Sequence, residues 1–225
     1  MLKFFGTILD AFNKLGGNYL WGLFIYAVFS KVLSIIGSKD YHKSISLTGL
    51  IKPQIEAIRK KHKNNKKISD KEITELMVHM KYAPYGYATL FLSEGIMVLI
   101  IGLILRDVLM YTSASSISEF TVNNIDLTLS PIKALFGPEF TVTSSVAVMT
   151  LFGVMALQIK HDSRMESVRL IEQEPADHVI WVLVAVLCAL LPVGAGMVML
   201  CYKAVDMGLL YYYERKARKA VVAKK

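Results

Sequence analysis

The sequence predicts an all-α integral membrane protein. Five transmembrane helices are expected, with an N-terminal interfacial helix, a cytoplasmic helical hairpin, the N-terminus outside and the C-terminus inside. Three observations carry this. Of 225 residues, 54% are hydrophobic and 20% charged, where a soluble domain is about one-quarter charged. The apolar residues collect in long blocks, and the mean hydropathy is +0.44. The Lys and Arg that give a net charge of +8 lie between the blocks, as they do in cytoplasmic loops of membrane proteins.

Residues 1–17 are predicted to form an amphipathic interfacial helix. Met1, Phe5, Ile8, Phe12 and Leu15 share one helical face and Lys3, Thr7, Asp10 and Lys14 the other, and Gly16-Gly17 ends the pattern. A cleavable signal would instead show a continuous apolar centre and a small-x-small site.

The first span is expected over residues 18–37, with Tyr19 and Trp21 at its start and Ser30 and Lys31 within it. The second covers 85–107 and contains one acid, Glu94. The third, 140–159, is rich in Thr and Ser over its first half. The fourth, 179–194, is short and ends in Pro192-Val193-Gly194-Ala195-Gly196, and the fifth is 196–213. Crossing about 30 Å of hydrocarbon takes about 20 residues, so the last two fit a tight hairpin in a thinned bilayer. One kinked helix with a buried tail is the alternative.

Charge sets the expected orientation. Eleven Lys or Arg against five acids lie between Gly37 and Ala83, and six more basic residues follow Tyr213 in the tail 214–225. The loop 108–139 has only Lys133. Both basic regions should be cytoplasmic, with four crossings between them, and the mixed loop 160–178 should be inside too.

The section 38–84 contains the predicted hairpin. Ile51, Ile55 and Ile58 mark one helix face and Ile73, Leu76, Met77 and Met80 another, around the charged stretch His62 to Lys67. Ser69 and Glu72 form a capping-box pattern that starts the second helix near Asp70, Pro53 fits the first turn of the first helix, and Pro84 ends the second. Its basic residues Arg59, Lys60, Lys61, Lys63, Lys66 and Lys67, with Arg215, Lys216, Arg218 and Lys219 of the tail, are candidates for contact with ribosomal RNA or anionic lipid. A solvated positive-inside loop is the alternative.

Ionisable residues at membrane depth are candidate functional residues, because each costs roughly 2.5–3.5 kcal/mol on insertion scales. Lys31, Glu94, Lys203 and Asp206 qualify, and Lys203 and Asp206 share a face at i and i+3. Thr141, Thr143, Ser144, Ser145, Thr150 and Gln158 add to the expectation of a bundle polar on its cytoplasm-facing half. Cys188 and Cys201 lie in apolar stretches and read as packing residues. No nucleotide-binding loop, metal-ligand spacing or nucleophile–base motif is present, so no cofactor, metal or enzymatic activity is expected.

The arrangement resembles the Oxa1/Alb3/YidC family of membrane protein insertases over nearly the whole chain after residue 17. Lys52-Pro53-Gln54-Ile55-Glu56 and the following Ala57 to Lys63 resemble that family's "QPE-x-x-x-I-x-x-KY" helix, and Met80 to Gly86 its "NPLAG" string. Leu157-Gln158-Ile159-Lys160 resembles "LQQK", and Leu191-Pro192-Val193-Gly194 resembles "FPAG". The resemblance implies a water-filled groove in which Lys31 stands for the family arginine and Glu94 for its frequent glutamine, with Gln158, Lys203 and Asp206 nearby. It implies insertion of small membrane proteins from the cytoplasm of a bacterial plasma membrane. The implied partners are nascent membrane proteins, the ribosome, anionic lipids and a Sec translocon; the sequence leaves the oligomeric state open, with a monomer favoured. Lys31 lacks arginine's bidentate fork, and "YW-x-x-N-N" is absent from the last span, departures that suit a divergent, short, Gram-positive-like member. A non-translocating scaffold or accessory paralogue and a small solute or ion transporter are the rival readings.

Overall fold

The structure, a computed structural model, describes residues 1–37, 39–80, 86–137, 141–165, 182, 184–186 and 188–222. In chain order the long helices are α1 (Leu2–Gly16), α2 (Tyr19–Gly37), α3 (Lys39–Lys61), α4 (Lys66–His79) and α5 (Gly86–Arg106). A short α6 (Val108–Tyr111), a 3-10 turn (Ile117–Phe120), strands β1 (Thr121–Val122) and β2 (Ile125–Asp126), and α7 (Pro131–Leu135) follow. The long helices α8 (Val142–Met165) and α9 (Val193–Val222) complete the fold.

Among the described residues, two helices are long and apolar enough to cross a bilayer, Val142–His161 within α8 and Val193–Tyr213 within α9. The number becomes three if α1 and α2 are one broken span, but they meet at a bend of 115°. The expectation of five transmembrane helices is therefore corrected. Of its fourth segment, 179–194, residues 179–181, 183 and 187 lie outside the described residues, as does Tyr85 at the head of the second. The fifth begins earlier than expected, at Val193, and α9 runs on through Tyr213 to Val222.

Helix α1 ends as its glycines predict. Gly17 adopts φ 80°, and its N–H donates to the Asn13 carbonyl, a left-handed cap that costs glycine little. The expected apolar face is only partly buried: Phe5 and Phe12 pack against the core. Met1 and Leu15 are exposed, whereas Gly6, Leu9 and Asp10 are buried. The reason is a close approach: a Cβ on Gly6 would collide with the Tyr111 carbonyl of α6. Only the hydrogen side chain lets those two backbones meet.

Helix α9 is the hub, packing against α2, α3, α5 and α8. The core joins Leu23, Tyr26 and Ala27 of α2, Ile101, Ile104 and Leu105 of α5, Val154 of α8, and Ala195, Val198 and Tyr202 of α9. Gly194 sits where a Cβ would press on Leu23, Leu105 and the Leu127 carbonyl.

At this end the connection 107–137 folds over the helix starts. Asn123 and Asn124 have φ of 53° and 64°, the geometry of a tight two-residue hairpin turn, and Thr121 and Val122 pair with Asp126 and Ile125. The Val193 and Gly194 N–H groups, orphans of a first helical turn, donate to the carbonyls of Leu129 (2.8 Å) and Leu127 (3.0 Å). Thr143 accepts from the Asp126 N–H (2.9 Å), and the Ser144 hydroxyl donates to the Ala134 carbonyl (2.5 Å). These α8 residues, expected to line a cytoplasm-facing polar half, instead fasten the connection. The start of a helix has unsatisfied groups and needs such residues.

The hairpin of α3 and α4 forms as expected. Ile51, Ile55, Ile73 and Met77 make its small core, flanked by Leu47, Ile58, Leu76 and Met80. Two details are corrected. Helix α3 starts at Lys39, which places Pro53 in its interior. Helix α4 starts at Lys66, because Asn65 accepts from the Ile68 N–H at 3.3 Å and Ser69 is buried, so Ser69 is not the cap.

Replacing Gly6 by Val should destabilise the protein by about 1–3 kcal/mol through overpacking, read as a lower unfolding midpoint in detergent. Gly208→Ala, with nothing within 4 Å of its Cβ, should leave the midpoint unchanged or raise it slightly.

Candidate functional site

Four ionisable side chains from three helices meet inside the bundle. Lys31 lies one residue after Ser30 on α2, and Ser30 shares a 2.5 Å hydrogen bond with the Tyr202 hydroxyl while its own hydroxyl also reaches the Tyr26 carbonyl at 2.6 Å. This registers α2 on α9, and Lys31 points between α5 and α9. Its ammonium donates to Glu94 Oε1 and, at 2.5 Å, to Asp206 Oδ1. Lys203 Nζ stands 3.8 Å from Glu94 Oε2, and Lys31 Nζ lies 5.6 Å from the Tyr202 ring centroid.

All four are buried: Lys31 is 2% exposed, Glu94 5%, Lys203 6% and Asp206 7%. Two positive and two negative charges cancel, which is the arrangement an apolar interior tolerates. The sequence offered Lys203 and Asp206 as a local pair; Asp206 Oδ1 is instead directed across to Lys31 on α2. Four of the five expected groove residues are thus brought together, as a closed cluster. Gln158, the fifth, is also buried, on α8. A lysine sealed by two carboxylates has no free charge with which to attract an incoming acidic segment.

The basic candidates are at the far end of the hairpin. Arg59, Lys60, Lys61, Lys63, Lys66 and Lys67 are all exposed, and so are Arg215 and Lys216 of α9. Arg218 and Lys219 lie in the α9 backbone, but their side chains are outside the described residues. Glu72 organises the tip: it accepts from Lys61 at 3.1 Å and stands 2.6 Å from His62 Nε2. Lys61 first, and His62 after it, hold its carboxyl below the ordinary 4.5. The residue expected to complete a capping box thus closes the hairpin turn.

Sequence reasoning missed a third buried acid. Asp10 accepts from the Tyr19 hydroxyl (2.9 Å) and the Ser113 N–H (2.7 Å), while Tyr19 stacks on Phe120 at 3.8 Å between centroids. These contacts fix the bend between α1 and α2 to the connection. The available signal was the single acid of α1, directly after Leu9. Among the described residues, no group of three His, Cys, Asp or Glu could hold a metal ion. Cys188 and Cys201 are free thiols, with Cys188 Sγ 3.5 Å from Met199 Sδ.

No family model, no curated protein and no solved structure matches the chain. The insertase reading implied by the short strings is corrected. Two candidate spans among the described residues do not make the multi-span architecture that an insertase groove requires, and Lys31 is occupied.

Lys31→Met should cost about 3–5 kcal/mol, the usual penalty for orphaning one side of a buried pair, and adding Asp206→Asn should recover part of it; denaturant unfolding in detergent measures both. Glu72 should titrate below 4.5 in carboxyl NMR and move back towards it in Lys61→Ala. Since its folded-state value is lowered, the stabilisation of the hairpin turn is complete above 4.5 and is lost as pH falls through the lowered value. A titration unchanged by Lys61→Ala would refute the pairing.

Proposed function

We propose that this chain is a membrane-anchored docking protein that acts by binding, with the α3–α4 hairpin as its contact element and ribosomal RNA as the polyanion it engages. Helices α8 and α9 hold it in the bilayer. The positive-inside rule places the hairpin and the Arg215–Lys216 end of α9 in the cytoplasm and the Val193 end outside. A bacterial plasma membrane is the setting we assign.

One observation carries the reading. Six of the nine residues from Arg59 to Lys67 are basic and exposed, at the turn of a hairpin with its own small core, while the four charges inside the bundle neutralise one another. The charge available to a partner is therefore concentrated on one projecting tip. Such a cluster offers a large polyanion several phosphate contacts at once.

Ribosome co-sedimentation with the detergent-held protein, over a salt series, tests this. Binding should fall steeply as salt rises. The triple variant Lys60→Glu, Lys63→Glu, Lys67→Glu should weaken it by more than tenfold and reduce the log–log salt slope by roughly 2–3. Retention of full ribosome binding by that variant, or a loss seen only on vesicles of anionic lipid, would reject the ribosomal reading.

A further inference from the structure

The end of the bundle where α8 and α9 begin carries a feature that neither the buried charges nor the basic hairpin uses. Helix α7 buries one side: Ala134 packs with Ala147 of α8 and Val193 of α9, and Leu129, Val146 and Met197 surround them. Its other side is apolar and exposed. Ile132 is 42% exposed, Leu135 37%, and Phe136 86%. A phenylalanine left with most of its surface in water forgoes the stabilisation that burial would give it.

The position of α7 identifies what covers it. Ser144, in the first turn of α8, is bonded to Ala134, and the Val193 N–H that opens α9 is bonded to Leu129. Both bilayer-crossing segments start here, at Val142 and Val193. Helix α7 is therefore tied to both spans at the level where they enter the membrane. Aromatic residues concentrate at that level, and Lys133 between the apolar residues can extend its ammonium towards the headgroups.

We propose that α7 is an interfacial wedge: Ile132, Leu135 and Phe136 insert among phospholipid chains just below the headgroups and fix the depth of α8 and α9. The occupant is bilayer lipid, because the patch is continuous with the lipid-crossing helices on which it is built. This inference is independent of what the hairpin binds.

The test uses the full chain in phosphatidylcholine vesicles, with Trp21 and Trp181 replaced by Phe and a single reporter introduced by Phe136→Trp. Ile132→Trp is a second reporter on the same face, and Ser118→Trp, at an exposed polar position of the same connection, is the control. Reporters at 136 and 132 should emit to the blue of the control. Lipids brominated near the headgroup should quench them several-fold more than lipids brominated near the chain ends, and aqueous iodide should quench them little. Water-like emission with full iodide quenching at both positions would overturn the wedge. So would a blue shift that disappears on diluting protein into excess lipid without bromolipid quenching, which would make a second copy of the chain the occupant.

Discussion

Lys31 binds two carboxylates that come from two different helices, and the rest of the bundle is built around that contact. The ammonium cannot be left alone in an apolar interior, nor can Glu94 or Asp206, so α2, α5 and α9 must stand at one relative height for all to be satisfied. The Ser30–Tyr202 hydrogen bond sets the same height from one residue away. Lys203, reaching Glu94, closes the charge balance. Replacing the whole set with well-packed apolar residues would yield comparable or greater stability; what the charges contribute is register. Apolar helices slide past one another with little penalty, and a buried ion pair does not.

A second set of polar contacts plays the corresponding role at the other end. There the need comes from backbone groups that a helix start leaves without partners. The connection 107–137 supplies carbonyls to Val193 and Gly194, and Thr143 and Ser144 return the favour to the connection. Asp10 and Tyr19 extend the same network to the bend between α1 and α2. The apolar helices are thus pinned at one end by backbone satisfaction and in their interior by charge.

This division leaves function on the outside. The interior charges have zero net sum and almost no exposure, so they act on packing. The hairpin is different: among the described residues its core holds four buried side chains, and its turn is dense with exposed basic residues. Glu72 pairs there with Lys61 and His62. A thin core and an exposed basic turn suit an element that adjusts to a large partner.

The sequence by itself determined the mainly helical character, the placement of most long helices, the seams of the hairpin and the identity of the four charges that meet inside the bundle. Each follows from local physics: periodicity shows which face of a helix is apolar, and an ionisable residue within an apolar block has few acceptable environments. It expected five spans, where two candidates, or three counting α1 with α2 as one broken span, are found among the described residues. It set Glu94 beside Lys31 but paired Asp206 with Lys203, because depth can be read along one chain while the acids that close on Lys31 lie 63 and 175 residues away. It assigned Thr143 and Ser144 to a polar lining because hydroxyls read alike whether they face water or a backbone carbonyl. Only the tertiary structure decided those partners, since pairing between distant residues depends on how helices pack and leaves no trace in local pattern.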